Sequence, residues 1–130
     1  MAYVLDSSAV LALLLGEPGA ERVAEVLERV RDGQDELFLP FMTLMEVRYR
    51  LLRDFASQAA IGTAIVNSWP ARIEESNPRW RETAARLKAR GGLSLADAWI
   101  AALALMHNAE LVHKDPEFDR VEGLRSLRLQ

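Results

Sequence analysis

Short apolar runs of strand length alternate along the chain with longer stretches in which apolar residues recur at helical spacing. Ala2-Tyr3-Val4-Leu5 is such a run and ends at Asp6. Val10, Leu11, Leu14 and Leu15 predict a first helix, stopped by Gly16 and Pro18. Val23, Val26, Leu27 and Val30 fall at i, i+3, i+4 and i+7 with Glu21, Glu25, Glu28 and Arg29 outward, and Gly33 supplies the stop. Leu37-Phe38-Leu39 predicts a second strand, after which Thr43 opens a helix carrying Leu44, Val47, Leu51 and Leu52. A further helix covers about Ala59 to Asn67, and Ala71-Arg72-Ile73 predicts a short strand. Pro78 suits the first turn of a helix that runs to Arg90 and closes at Gly91-Gly92. The helix begun by Ser94 is apolar on two opposite faces, which predicts burial at the centre of the fold. Leu111-Val112 predicts a strand, Pro116 to Val121 a turn of helix, and Leu127-Arg128-Leu129 a last strand. Strands alternating with helices predict an α/β fold of three layers, α/β/α, around a short central parallel sheet. At 130 residues the expectation is one domain, residues 1–130.

Composition narrows the chemistry. The chain has no cysteine, which excludes a disulfide framework, a thiolate zinc site and a cysteine nucleophile. Residues 55–71 carry no charge but include Ser57, Gln58, Asn67, Ser68 and Pro70, too polar a stretch to span a bilayer. No basic residue precedes the first apolar run and Asp6 interrupts it, unlike a signal peptide, so a cytoplasmic protein without a membrane partner is expected. The net charge of −3 argues mildly against nucleic acid. Its distribution does not: residues 1–36 hold three bases and eight acids, whereas residues 72–90 hold six bases and three acids. Fourteen of the sixteen cations are arginine, the side chain suited to bidentate phosphate contact.

In a parallel sheet, strand ends and the starts of the following helices meet at one edge, where such folds bind ligands. The predicted elements bring four acids there: Asp6 after strand one, Glu46 in the first turn of the helix after strand two, Asp97, and Asp115 after Leu111-Val112. Each also has a purely structural explanation. Thr43-Leu44-Met45-Glu46 and Ser94-Leu95-Ala96-Asp97 read as capping boxes, Asp115-Pro116 as a cap followed by proline, and Asp6 before Ser7-Ser8 as another cap. Two considerations favour more than capping. Asp97 is the only charge between Gly91 and Ala109, and an unpaired buried carboxylate costs several kcal/mol. Four carboxylates in one place raise one another's pKa unless a cation neutralises them, and a hard divalent ion such as Mg²⁺ or Mn²⁺ meets that need. With the four neutralised, fifteen acids remain against sixteen bases, so the net charge no longer counts against nucleic acid.

Together, Val4-Leu5-Asp6-Ser7-Ser8-Ala9, the Thr43-x-x-Glu46 helix start, Leu95-Ala96-Asp97-Ala98-Trp99-Ile100-Ala101-Ala102 and Leu111-Val112-His113-Lys114-Asp115-Pro116-Glu117-Phe118 resemble the PIN-domain nucleases. In size and layout the chain is similar to the VapC-type toxins of toxin–antitoxin modules, over nearly its whole length. The resemblance implies a metal-dependent endoribonuclease in which Asp6, Glu46, Asp97 and Asp115 are catalytic and hold one or two Mg²⁺ or Mn²⁺ ions. Ser8 matches a polar position beside the first acid, while His113 stands where family members usually carry Thr or Ser, with a contact to phosphate or metal or a structural part open to it. Glu117 and Asp119 are auxiliary acids. The resemblance further implies an RNA substrate, a homodimer, and a cognate antitoxin that covers the helices after strand two and places an arginine or similar group in the acidic pocket. The uncharged 55–71 stretch suits that interface or plain internal packing. Arg48, Arg50, Arg90 and Lys114 are the candidates for RNA phosphate, with a solvated helix face as the alternative. Trp69, Trp80 and Trp99 fit core or interface better than base stacking.

Two rivals belong to other classes. A phosphoacceptor receiver domain shares the parallel sheet and an acidic Mg²⁺ site, but Asp6 is followed by Ser7-Ser8 where receivers pair acids, and residues 71–76 offer only Glu74 and Glu75 where a phosphoacceptor Asp is needed. A catalytically inactive relative that binds RNA or protein retains the same four acids.

Overall fold

The computed structural model describes residues 1–130. Five strands, β1 (Ala2–Leu5), β2 (Glu36–Pro40), β3 (Arg72–Glu74), β4 (Glu110–His113) and β5 (Arg125–Arg128), form one sheet in the order β3-β2-β1-β4-β5. Every neighbouring pair is parallel. Six helices cover it: α1 (Ser7–Leu15), α2 (Ala20–Arg31), α3 (Phe41–Asp54), α4 (Ala59–Asn67), α5 (Pro78–Arg90) and α6 (Leu95–Met106). Two single 3₁₀ turns, Ala56–Gln58 and Pro116–Arg120, complete the chain.

The predicted three layers are present, because side chains alternate across each strand. Tyr3 and Leu5 of β1 join Val10, Val23, Leu27, Val47, Leu51 and Val66 in a core beneath α1 to α4. Val4 faces the other way, into a second core with Trp80, Ala84, Leu87, Ile100, Ala102 and Leu103 beneath α5 and α6. Helix α6 is buried through its middle, as its two apolar faces predicted, yet its first turn is open and Leu95 is 67% exposed. Trp80 is fully buried and its indole N–H donates to the Trp99 carbonyl at 2.8 Å, locking α5 onto α6. The core assignment of Trp69 and Trp80 holds, and Trp99 packs edge-on to Trp80. At Gly62 a Cβ would lie 2.6 Å from Leu51 Cδ1, so the Leu51 side chain of α3 packs directly over the glycine of α4.

Helix α3 departs from expectation. It starts at Phe41 directly after β2, with Pro40 in the capping position and no side-chain cap. Thr43 therefore lies inside the helix, buried with its hydroxyl unpaired, and the predicted capping box with Glu46 does not form. Glu46 consequently belongs to the second turn, not the first.

The chain runs from β1 outward through β2 to β3, then crosses back to place β4 on the other side of β1. The strand order reverses between β1 and β4, and the crevice beyond their carboxyl ends is where open α/β sheets bind ligands.

Candidate functional site

Asp6 follows β1 and Asp115 follows β4, so both stand at that crevice. Asp97, from the first turn of α6, and Glu46, from α3, reach the same place. A cleft of about 380 Å³ is lined by Asp6, Ser8, Glu46, Arg50, Asp97, Lys114 and Asp115 among others. Acids spread over more than a hundred residues of sequence thus meet in one cavity.

Local structure aims each of them. Asp6 caps α1: its Oδ1 accepts the Ala9 N–H at 3.1 Å and the Ser8 hydroxyl at 2.6 Å, leaving Oδ2 without a protein donor. Asp115 caps the 3₁₀ turn through the same kind of bond, its Oδ1 accepting the Glu117 N–H at 2.9 Å and its Oδ2 left free. Ser8 also ties the two strand ends together, because its Oγ accepts the Lys114 N–H at 3.1 Å. In α6 the Ser94 Oγ accepts the Asp97 N–H at 3.2 Å, but the reciprocal bond from the Asp97 carboxylate to the cap is absent. Only half of the predicted capping box forms there, and the carboxylate is turned to the cleft instead.

The cluster is electrostatically strained. Burial pushes the Asp6 carboxyl up from 3.8 to about 6, opposed by its Ser8 and Ala9 hydrogen bonds and assisted by the charge of Glu46. Burial likewise raises Asp97 to about 7, with Asp115 and Asp6 adding to the rise. Asp97 was expected to need a partner, and its near neighbours prove to be acids. One oxygen from each of Asp97, Asp115 and Glu117 lies within 4.8 Å of the others. Hard carboxylate oxygens with free lone pairs and no nitrogen or sulfur ligand fit a divalent cation of the Mg²⁺ or Mn²⁺ kind.

Of the auxiliary candidates, Glu117 joins this cluster, whereas Asp119 turns away to Arg128 at 2.9 Å. His113 is fully buried and does not open on the cleft. Its Nδ1 accepts the Asp115 N–H at 3.1 Å, which places its proton on Nε2, and that atom has no partner, with Asp119 Oδ1 4.0 Å away. Burial lowers its pKa, so the ring is a neutral acceptor that holds Asp115 in place. Among the basic candidates, Arg50 and Lys114 line the acidic cleft, and Lys114 Nζ also lies 3.4 Å from Glu17. Arg48 instead donates to Thr63 at 3.1 Å on the surface. Arg90 lines a neighbouring cavity that includes Glu117 and Arg120. Arg120 escaped the sequence reading because it sits in a short turn with no periodic or motif signal.

A parallel sheet with a carboxylate cluster at its switch point defines a class of α/β proteins built to hold a hard cation against a ligand. Within that class, the model of the PIN domain matches residues 3–124, and the chain belongs to the PIN-domain family. No curated protein matches the sequence. Among solved structures, the chain is similar to VapBC-1 from nontypeable Haemophilus influenzae, with 25% identity, 98% of each chain covered and a TM-score of 0.74. It is similar in fold to VapBC2 from Rickettsia felis, solved bound to a DNA fragment from their promoter, with 20% identity over 100% of each chain and a TM-score of 0.77. A third similar fold is Mycobacterium tuberculosis VapC20, described as a Sarcin-Ricin loop cleaving toxin, with 20% identity, 97% and 98% covered and a TM-score of 0.73. No helix is long and apolar enough to cross a membrane. The receiver alternative loses its phosphoacceptor position, since Glu74 at the end of β3 is engaged with His107 at 3.1 Å.

Proposed function

We propose that residues 1–130 form one metal-dependent endoribonuclease domain that acts in the cytoplasm as the toxin of a toxin–antitoxin pair. The observation that carries this reading is the convergence of Asp6, Glu46, Asp97 and Asp115 on one cleft, with the first and third held well above the ordinary carboxylate range. Asp6, Asp97 and Asp115 would hold the cation, Mg²⁺ or Mn²⁺ and one or two ions, with Glu46 as a further ligand or as the group that positions the attacking water. When bound, such a cation polarises a phosphodiester and lowers the pKa of a water molecule. Ser8 fixes the Asp6 carboxylate and His113 fixes the Asp115 backbone, so both are positioning residues. Arg50 and Lys114 meet the phosphates beside the scissile bond.

The partners follow from the surface. Met45, Tyr49, Leu52, Phe55, Ile61 and Ile65 of α3, α4 and the segment between them are exposed large apolar side chains. This face fits the antitoxin, and a homodimer is the expected state of the free protein. VapBC complexes among the similar folds support the antitoxin partner.

The test is incubation of the purified chain with structured RNA in Mg²⁺, in Mn²⁺ and in EDTA. Cleavage that needs the cation and disappears in Asp6→Asn and Asp97→Asn, both still folded, is the expected result. Undiminished cleavage by the cleanly purified variants would sink the assignment. RNA bound but never cut would leave the inactive relative as the answer.

A further inference from the structure

Beside the acidic cleft lies a second cavity of about 210 Å³ that the proposed chemistry leaves unused. Its walls are Arg90 at the end of α5, the Gly91-Gly92 loop, and Arg120 after the 3₁₀ turn, and Glu117 forms the border with the metal-type cluster. Arg90 and Arg120 are exposed, and neither has a carboxylate within ion-pair distance, although Glu117 and Glu122 line the same cavity. Elsewhere on the molecule several arginines are spent on ion pairs, among them Arg86 with Glu82 and Arg128 with Asp119. Arg90 and Arg120 are the two cations that line this one concavity, and both guanidinium groups are free to take a ligand. Gly91 and Gly92 both sit at φ +88, and a Cβ on either would meet nothing within 4 Å, so the lip is open and carries no side chain of its own. No backbone acceptor takes the Gly92 or Leu93 N–H, which adds unpaired donors to the same rim.

We propose that this cavity is a second phosphate subsite for the RNA, held by Arg90 and Arg120, one or more nucleotides away from the bond that is cut. The inference rests on the ribonuclease reading above and deepens it. Arg50 and Lys114 lie on the acidic cleft itself, whereas Arg90 and Arg120 lie beyond Glu117. A strand on the carboxylates would thus meet cations within the cleft and again beyond Glu117. Phosphate contacts of this kind fix register and orientation and carry no base preference. Arginine suits them because its planar fork reaches two phosphate oxygens at once.

The test measures binding of fluorescent single-stranded RNA by anisotropy, with divalent ions chelated so that no strand is cut. Wild type is compared with Arg90→Ala, Arg120→Ala and the double variant across a salt series. Each single change should weaken binding about fivefold, the worth of one exposed charge contact, and lower the slope of log affinity against log salt by about 0.7. The loss should be the same for oligonucleotides of different base sequence. Shortening the oligonucleotide on one side of the cleavage position should weaken wild type but not the double variant. Both arginines are exposed, and matching thermal melts check that the variants fold. Unchanged affinity and salt slope in the double variant overturn the subsite and leave the arginines to an acidic protein surface. A wild type that binds RNA in this assay but cuts none once Mg²⁺ or Mn²⁺ is restored overturns the ribonuclease reading, while the variant comparison still decides the subsite.

Discussion

Asp6→Asn should make the cation-free protein more stable above neutral pH while abolishing its activity. The Asp6 side chain is buried, and its pKa lies at about 6 in the folded chain against an ordinary 3.8, chiefly because burial penalises the charge. A folded pKa above the unfolded one means that the stability present below pH 3.8 is lost as pH rises through about 6. The gap amounts to about 3 kcal/mol at full ionisation, which for a domain of this size corresponds to about 10 °C in Tm. Asparagine keeps the oxygen that accepts the Ala9 N–H and the Ser8 hydroxyl, and it removes the repulsion from Glu46. The α1 cap therefore survives the change. Urea unfolding in EDTA between about pH 4 and 8 should show wild type losing stability from about pH 4 to 6 relative to the variant, with the curves converging in acid. Saturating Mn²⁺ should then stabilise wild type more than Asp6→Asn. A variant that is less stable than wild type at pH 8 in EDTA, or that keeps the same pH slope, would refute the assignment of Asp6 as a strained acid held for a cation.

Four further outcomes rest on the same geometry. Burial and the neighbouring Asp115 hold Asp97 at about 7, so cation uptake must displace a proton below that pH. Apparent Mn²⁺ affinity should therefore rise about tenfold per pH unit between about 6 and 7, more steeply below about 6 where Asp6 must also lose its proton, and level off above about 7, and calorimetric titrations showing a flat profile refute this. His113→Ala opens a cavity against Phe118 and frees the Asp115 N–H, which should cost about 2–4 kcal/mol in denaturant unfolding. His113→Thr should recover Mn²⁺ affinity relative to His113→Ala by restoring a short acceptor near that N–H, and equal affinities in the two variants would show that the ring only fills space. Thr43→Val removes a buried hydroxyl without a partner and should leave stability unchanged or raise it by about 1 kcal/mol, whereas a loss above that size in thermal unfolding would mean the hydroxyl is paired.

Helices α4 and α5 end where Asn67 and the Asn77-Pro78 and Arg90-Gly91 boundaries place them, because caps and glycine stops act locally and leave a mark in sequence. The start of α3 left a misleading mark. Thr43-x-x-Glu46 has the spacing of a capping box, but Pro40 passes straight from β2 into the helix, which puts Thr43 into the core. Glu46 still reaches the cleft because a residue in the second turn can face the same edge of the sheet. Arg120 left no mark at all, since an exposed arginine in a turn acquires meaning only from the walls that fold around it. The four acids are the instructive case, because sequence offered capping and cation binding as competing explanations. In the folded chain the two coincide at Asp6 and Asp115, while Glu46 and the Asp97 carboxylate cap nothing. Asp6 and Asp115 each spend Oδ1 on a backbone N–H and keep Oδ2 free of protein donors. The cap fixes the rotamer, and the fixed rotamer aims the second oxygen into the cleft. Capping chemistry alone does not mark these acids as a group, and what groups them is the convergence on one cleft created by the β1/β4 switch point.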